Sequence, residues 1–184
     1  MITLIIGTNR PNSNSRKIGD FVENLYKSHN VPLRVLDLAA LPPEIFLPDS
    51  YGVKPAAFQP FAEAIATATG FIVLTPEYNG GPPGVLKYFI DMLKFPESFF
   101  HRPVCFVGLS AGPSGGVRPV DQLQQIFAYR NAYLFPDRVF LPNINNLLDA
   151  NGNLINPEMI EKLKTQTAGF IAFVNKLTND AVVT

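Results

Sequence analysis

Residues 71–93 read FIVLTPEYNGGPPGVLKYFIDML. The stretch opens on an apolar run of strand length, Phe71 to Thr75. It closes on a run in which Val85, Leu86, Phe89, Ile90 and Leu93 fall at the spacing of one helix face. Between them, TPEYNGGPPG (75–84) packs three prolines and three glycines into ten residues, so the chain turns there. Pro83 suits the first position of the following helix, where a missing N–H leaves nothing unbonded. A buried strand feeding through a loop into a helix is one step of an alternating α/β chain.

The same step recurs on both sides. ITLII (Ile2 to Ile6) is a strand run ending at Gly7, and from Ser15 the apolar residues Ile18, Phe21, Val22 and Leu25 mark a helix. LRVLDL (33–38) is a second strand. Residues 39–54 form a proline-rich loop without a period, and Pro55 opens a helix carrying Phe58, Phe61, Ala62 and Ile65. PVCFVGL (103–109) is a fourth strand. After SAGPSGG, a helix runs from about Arg118 with Leu123, Ile126 and Phe127 inward. A fifth extended stretch lies within AYLFPDRVFLP, interrupted by Pro136. After the turn DANGN (149–153), Asn156 caps and Pro157 starts a last helix presenting Ile160, Leu163, Thr167, Ile171 and Val174.

Strands that are apolar throughout belong to a sheet covered on both faces. Five strands alternating with five helices predict a three-layer α/β sandwich with a parallel sheet in the order 2-1-3-4-5, the flavodoxin-like arrangement. Ligands of such sheets bind at the switch point, beyond the carboxyl ends of the strands. The loops after Ile6, Leu74 and Leu109 are therefore the ones to inspect. The 184 residues are read as one domain, 1–184.

Composition narrows the partners. Fifteen basic residues balance fifteen acidic ones, so neither a basic stripe for nucleic acid nor the acidic face of a docking redox carrier is expected. Cys105 is the only cysteine, so no intrachain disulfide exists; within VCFVGL it reads as a small buried hydrophobe. No apolar stretch approaches the roughly 20 residues of a membrane span. The N-terminal apolar run is short and has no basic segment before it, so the expectation is a cytoplasmic protein. His29 and His101 fall at a helix end and in a loop, where surface roles are expected.

The loop after the first strand is GTNRPNSNS (7–15). It lacks both GxGxxG and GxxxxGK[ST], which argues against a dinucleotide fingerprint and a P-loop. It offers the Thr8, Ser13 and Ser15 hydroxyls, the amides of Asn9, Asn12 and Asn14, the Arg10 guanidinium and a helix N-terminus. Those groups suit a phosphate monoester. Ser13 or Asn14 could equally be an ordinary helix cap. In TPEYNGGPPG the backbone donors are Glu77, Tyr78, Asn79, Gly80, Gly81 and Gly84. A planar heteroaromatic edge would suit such a row, with Tyr78 stacking and Asn79 adding an amide. Alone the loop could be a plain corner; two such loops at one switch point favour a nucleotide.

GTNRPNSNSRKI followed by TPEYNGGPPGVLKYFIDML resembles the NADPH-dependent FMN reductase family, and SAGPSGGVRPVDQLQQI (110–126) resembles that family's third loop and following helix. The resemblance runs from Met1 to about Phe140. It implies a flavodoxin-like fold, bound FMN, NADPH as reductant, and a flavin, quinone or similar small-molecule electron acceptor. It implies that Thr8, Arg10, Ser13, Asn14 and Ser15 bind the FMN phosphate. Pro76, Glu77, Tyr78, Asn79 and Gly80 would follow the flavin ring edge, and Ser110, Gly112 and Gly115 would flank its other side. Gly112 and Gly115 are the expected amide donors to the reduced ring. Gly80-Gly81 replaces a bulkier pair frequent in the family, which could widen the space above the ring. No side-chain acid or base is expected, because the cofactor carries the chemistry. Arg16, Lys17 and Arg118 are candidates near the nicotinamide phosphate, and Arg118 could equally serve a structural ion pair. The phenylalanines of FPESFF (95–100) suggest an oligomer contact beside the flavin, and the family implies a homodimer or homotetramer. The alternative is a flavodoxin-type electron-transfer module without hydride chemistry of its own.

Overall fold

In the computed structural model, which describes residues 1–180, strands and helices alternate as expected. The order is β1 (Ile2–Ile6), α1 (Asn14–Ser28), β2 (Leu33–Asp37), α2 (Gln59–Ala66), β3 (Gly70–Pro76), α3 (Gly84–Met92), β4 (Pro103–Leu109), α4 (Val117–Tyr129), β5 (Tyr133–Leu134), β6 (Val139–Leu141) and α5 (Pro157–Asp180). The sheet is parallel throughout, in the order β2-β1-β3-β4-β5, with β6 also pairing with β4. This is the flavodoxin-like arrangement. β1, β3 and β4 are buried at every position. Alternate side chains feed two cores. Leu4, Ile6, Ile72, Leu74, Cys105 and Val107 meet α1 and α5, whereas Ile5, Phe71, Val73, Val104 and Phe106 meet α2, α3 and α4.

The departures have local causes. The stretch after β2 is a chain of 3-10 turns, Leu38–Ala40, Pro43–Phe46 and Pro48–Tyr51; the first is capped by Asp37 and the others begin at proline. A further 3-10 turn, Ala56–Phe58, precedes α2. Pro83 is the N-cap of α3 rather than its first residue. Asn156 does cap α5, its Oδ1 accepting from Met159 N at 3.0 Å. The buried stripe of α5, however, is Met159, Leu163, Gln166, Thr167, Phe170 and Val174, with Ile160 and Ile171 on its flank.

Pro136 divides the fifth strand in two. β5 pairs with Pro103 and Val104, and β6 resumes at Val107. The gap falls beside Phe106 of β4, and Asp137 lies within it. Gln166 of α5 fills it: its Nε2 donates to Phe106 O at 2.9 Å and to Asp137 O at 2.8 Å. Gln166→Leu should therefore lower stability by about 2 kcal/mol, since it removes two hydrogen bonds to carbonyls packed in the interior. Urea denaturation measures this, and a loss within ~0.5 kcal/mol would refute the role.

FPESFF lies in the turns that precede β4, at the amino ends of the strands. Phe99 is buried against Phe71 at the start of β3, with ring centroids 5.1 Å apart. Phe95 and Phe100 are exposed. The aromatic surplus is thus at the opposite end of the sheet from the switch-point loops, and the expected contact beside the flavin is not placed there. His29 caps the end of α1, and His101 stacks between Phe100 and Tyr133. Cys105 is buried, and burial pushes its thiol pKa well up, as a core hydrophobe requires. Among the described residues, no helix is long and apolar enough to cross a membrane.

Candidate functional site

The loops leaving β1, β3 and β4 meet at the carboxyl edge of the sheet and line one cleft. Its first wall is the turn into α1. Ser13 caps that helix, its Oγ accepting from Arg16 N at 3.1 Å. The N–H groups of Asn14 and Ser15 find no acceptor among the described residues. Ser15 is 1% exposed, and its hydroxyl has no hydrogen-bond partner among the described residues. A buried, unbonded hydroxyl beside free helix N–H groups is a local excess of donors, at the positive end of the helix dipole. Arg10 stands at the rim, exposed, and joins none of the arginine ion pairs of the described residues.

Not every residue of this loop is free. Thr8 is fully buried. Its hydroxyl is 2.8 Å from Tyr78 OH and accepts from Arg10 N at 3.2 Å, so it ties the first loop to the second. The Asn14 side chain donates to Asn145 at 2.9 Å and accepts from Lys17. Arg16 pairs with Asp20. Of the expected phosphate ligands, the open groups are Arg10, the hydroxyls of Ser13 and Ser15, and two backbone N–H groups.

The second wall is the stretch 75–84. Tyr78 and Gly81 form an isolated antiparallel bridge, each donating its N–H to the other's carbonyl at 2.9 and 3.0 Å. Between them Asn79 and Gly80 both have positive φ, 51° and 77°. This is the Asn-Gly hairpin turn whose two central residues must be left-handed, a conformation that asparagine and glycine tolerate best. The turn withdraws donors from the expected row. Tyr78 and Gly81 satisfy each other, and Glu77 N donates to Leu109 O at 2.9 Å. The N–H groups of Asn79 and Gly80 remain open. The Tyr78 hydroxyl meets that of Thr8, which fixes where the ring stands.

The third wall is the loop 110–116. Ser110 organises it: the hydroxyl donates to Gly112 O at 2.8 Å and accepts from Gly115 N at 2.8 Å. The Gly115 N–H is thus occupied, which corrects its expected role as an amide donor; the N–H groups of Ala111 and Gly112, which line the cleft, are open. Glu77 joins this wall to the second. One carboxylate oxygen accepts from the Ser114 hydroxyl, the other from Arg118 Nη1 at 2.8 Å. The Ser114 hydrogen bond, aided by Arg118 and opposed by burial, holds the Glu77 carboxyl below the usual glutamate range. The folded carboxyl is then the stronger acid. Its stabilisation is complete at neutral pH and is lost as pH falls through the lowered folded-state value. Glu77→Gln should flatten the acid side of the stability profile relative to the parent chain. Parallel curves from neutral to acid pH would exclude Glu77 as the titrating group.

Three contributors escaped the motif reading. Ala111 and Ser114 stand inside the serine- and glycine-rich loop, but nothing in their type marks which amide is open or which hydroxyl reaches Glu77. Asn145 arrives on a 3-10 turn, Ile144–Asn146, after β6. Its only signal was position, since it follows the carboxyl end of the fifth strand, which Pro136 disguises.

The chain matches the model of the NADPH-dependent FMN reductase family over residues 1–146. It belongs to that family. The family's enzymes are NAD(P)H:acceptor oxidoreductases that use FMN. The chain is 26% identical over 177 residues to a 2-hydroxy-1,4-benzoquinone reductase of Burkholderia sp, covering 94% of this chain and 95% of that one. It is 31% identical over 127 residues to a quinone reductase of Escherichia coli strain K12, covering 67% and 68%. Among solved structures it is similar to FerB, a flavoenzyme NAD(P)H:(acceptor) oxidoreductase from Paracoccus denitrificans, with TM-score 0.80, 18% identity and coverage of 95% and 97%. That likeness is one of fold. The family's cofactor fits the cleft's chemistry. The donor excess at Ser15 and the start of α1 matches a phosphate, and the open N–H groups of Asn79, Gly80, Ala111 and Gly112 match the polar rim of a flavin.

Proposed function

We propose that this family member, residues 1–184 acting as one domain, holds FMN across the three loops and catalyses electron transfer from NADPH to a flavin, quinone or similar acceptor. The buried, unpartnered hydroxyl of Ser15 beside the free N–H groups of α1 carries the reading, because several donors converging at the positive end of a helix favour an anionic acceptor. Arg10, Ser13, Asn14 N–H and Ser15 bind the phosphate, while Thr8 holds the loop through Tyr78. Pro76 to Gly80 line one side of the ring. Ser110 and Gly115 shape the loop on the other side, where Gly112, with Ala111, presents its N–H. FMN held there would supply the redox chemistry, a two-electron link between NADPH and the acceptor. The protein orients it and keeps donors aimed at the ring edge, with no side chain acting as acid or base. The acceptors named in the relatives, quinones foremost, are the first to assay.

We further take the enzyme to be cytoplasmic and a homodimer or homotetramer, supported by the exposed aromatic residues Phe95, Phe100 and Tyr129. A monomer by sedimentation at micromolar concentration would defeat the assembly. The function is tested by loading the protein with FMN and mixing it anaerobically with NADPH. Loss of the flavin's visible absorption is expected. A flavin that stays oxidised would favour the electron-transfer module instead, and a protein that takes up no FMN would defeat both readings.

A further inference from the structure

Arg118 and Glu77 form an ion pair with an unequal environment. The Glu77 side chain is 11% exposed and the Arg118 side chain 64%. Both carboxylate oxygens are engaged, one by Ser114 and one by Arg118. On the guanidinium, only Nη1 is engaged; its other N–H groups find no acceptor among the described residues. The negative end of the pair therefore points into the protein and the positive end into the cleft.

Arg118 is anchored through Glu77 and lies beside the second loop. It lies in the first turn of α4, and its Cδ is 3.8 Å from where a Cβ on Gly80 would stand. The side chain thus passes within contact distance of the tip of the Asn79-Gly80 turn. It lines the cleft together with Asn79, Gly80, Ala111 and Gly112. Two other cations of the neighbourhood are occupied or distant in role. Arg16 is paired with Asp20 and Glu23, and Arg10 stands at the phosphate end.

We infer that Arg118, oriented by Glu77, is a specificity-determining residue that selects conjugated acceptors bearing an anionic oxygen, such as a carboxylate or enolate on an aromatic or quinonoid ring. The inference rests on the reading of the cleft as the flavin and acceptor site. A guanidinium with one edge fixed and another edge free makes a directional, charge-assisted hydrogen bond to such an oxygen. A neutral ring of the same shape gains nothing from it.

The test uses a redox-inert pair, benzoate and its neutral counterpart benzamide, titrated into the FMN-loaded, oxidised protein and followed by perturbation of the flavin absorption. The parent protein should bind benzoate about tenfold more tightly than benzamide, and Arg118→Gln should reduce that preference to about twofold or less. No preference in the parent, or a preference retained in the variant, would overturn the inference. A second arm compares KM values for NADPH and NADH. A loss confined to NADPH in Arg118→Gln would place the guanidinium on the nucleotide's phosphate and also overturn it; equal shifts support the acceptor role. The FMN dissociation constant of each protein, measured alongside, separates loss of cofactor from loss of ligand. A parent protein that binds benzoate selectively yet is not reduced by NADPH would strike the reductase reading and leave this inference standing.

Discussion

Gly116→Ala should shift the urea midpoint sharply down, with a stability loss of about 3 kcal/mol or more. Gly116 precedes α4 with φ of 84°, a conformation L side chains rarely adopt. Geometry adds to strain. A Cβ there would stand 2.5 Å from Leu109 N and 2.9 Å from the backbone of Gly108. Those atoms belong to the fully buried strand β4, so relief requires moving the start of α4 off the sheet. Gly112, four residues earlier, is the control. A Cβ on Gly112 meets nothing within 4 Å, and Gly112→Ala should leave stability within about 0.5 kcal/mol of the parent. A loss below ~1 kcal/mol for Gly116→Ala, with an unchanged denaturant slope, would show that the corner relaxes and that the close approach is not needed.

The second large effect is on cofactor affinity. Arg10→Ala should weaken FMN binding by about tenfold to ~150-fold, the equivalent of losing a charged hydrogen bond of roughly 1.5–3 kcal/mol. The visible spectrum of the bound flavin should change little, because Arg10 lies at the phosphate end of the cleft. Ser15→Ala sharpens the interpretation, since its two effects have opposite signs. Removing a buried hydroxyl that has no partner should leave the apoprotein as stable as before or slightly more so, while FMN binding weakens by about 1 kcal/mol. Titration of the apoprotein with FMN, followed by fluorescence quenching, measures both variants. Unchanged affinity in Arg10→Ala would remove that residue from the site.

The strands and their order were legible because each buried strand is an unbroken apolar run and each helix repeats at one face. The switch-point rule then pointed to the right three loops. Which atom of each residue is open was not legible. Ser13, Asn14 and Ser15 are adjacent small polar residues, yet one caps, one reaches Asn145, and one is left without a partner. Those outcomes depend on how α1 meets a turn some 130 residues later in the chain. Gly115 was expected as a donor from the family resemblance, but the Ser110 hydroxyl claims its N–H, a contact that only the folded loop defines. The same holds for Arg118: the sequence allowed an ion pair or a ligand contact, and the geometry shows the pair with donors to spare. The fifth strand was seen but not its brace, because no local pattern says that Gln166 will reach across to Phe106 and Asp137.

That divided strand has a consequence for how copies of the chain can meet. Beyond β4, the sheet ends in pieces of two and three residues, separated by a proline and held from behind by a helix side chain. Such an edge is too short and too broken to template another strand, so polymerisation through sheet extension is blocked on this side. Any assembly built here must use the outward faces of helices. The interruption that obscured the strand in the sequence protects the folded protein from joining edge to edge.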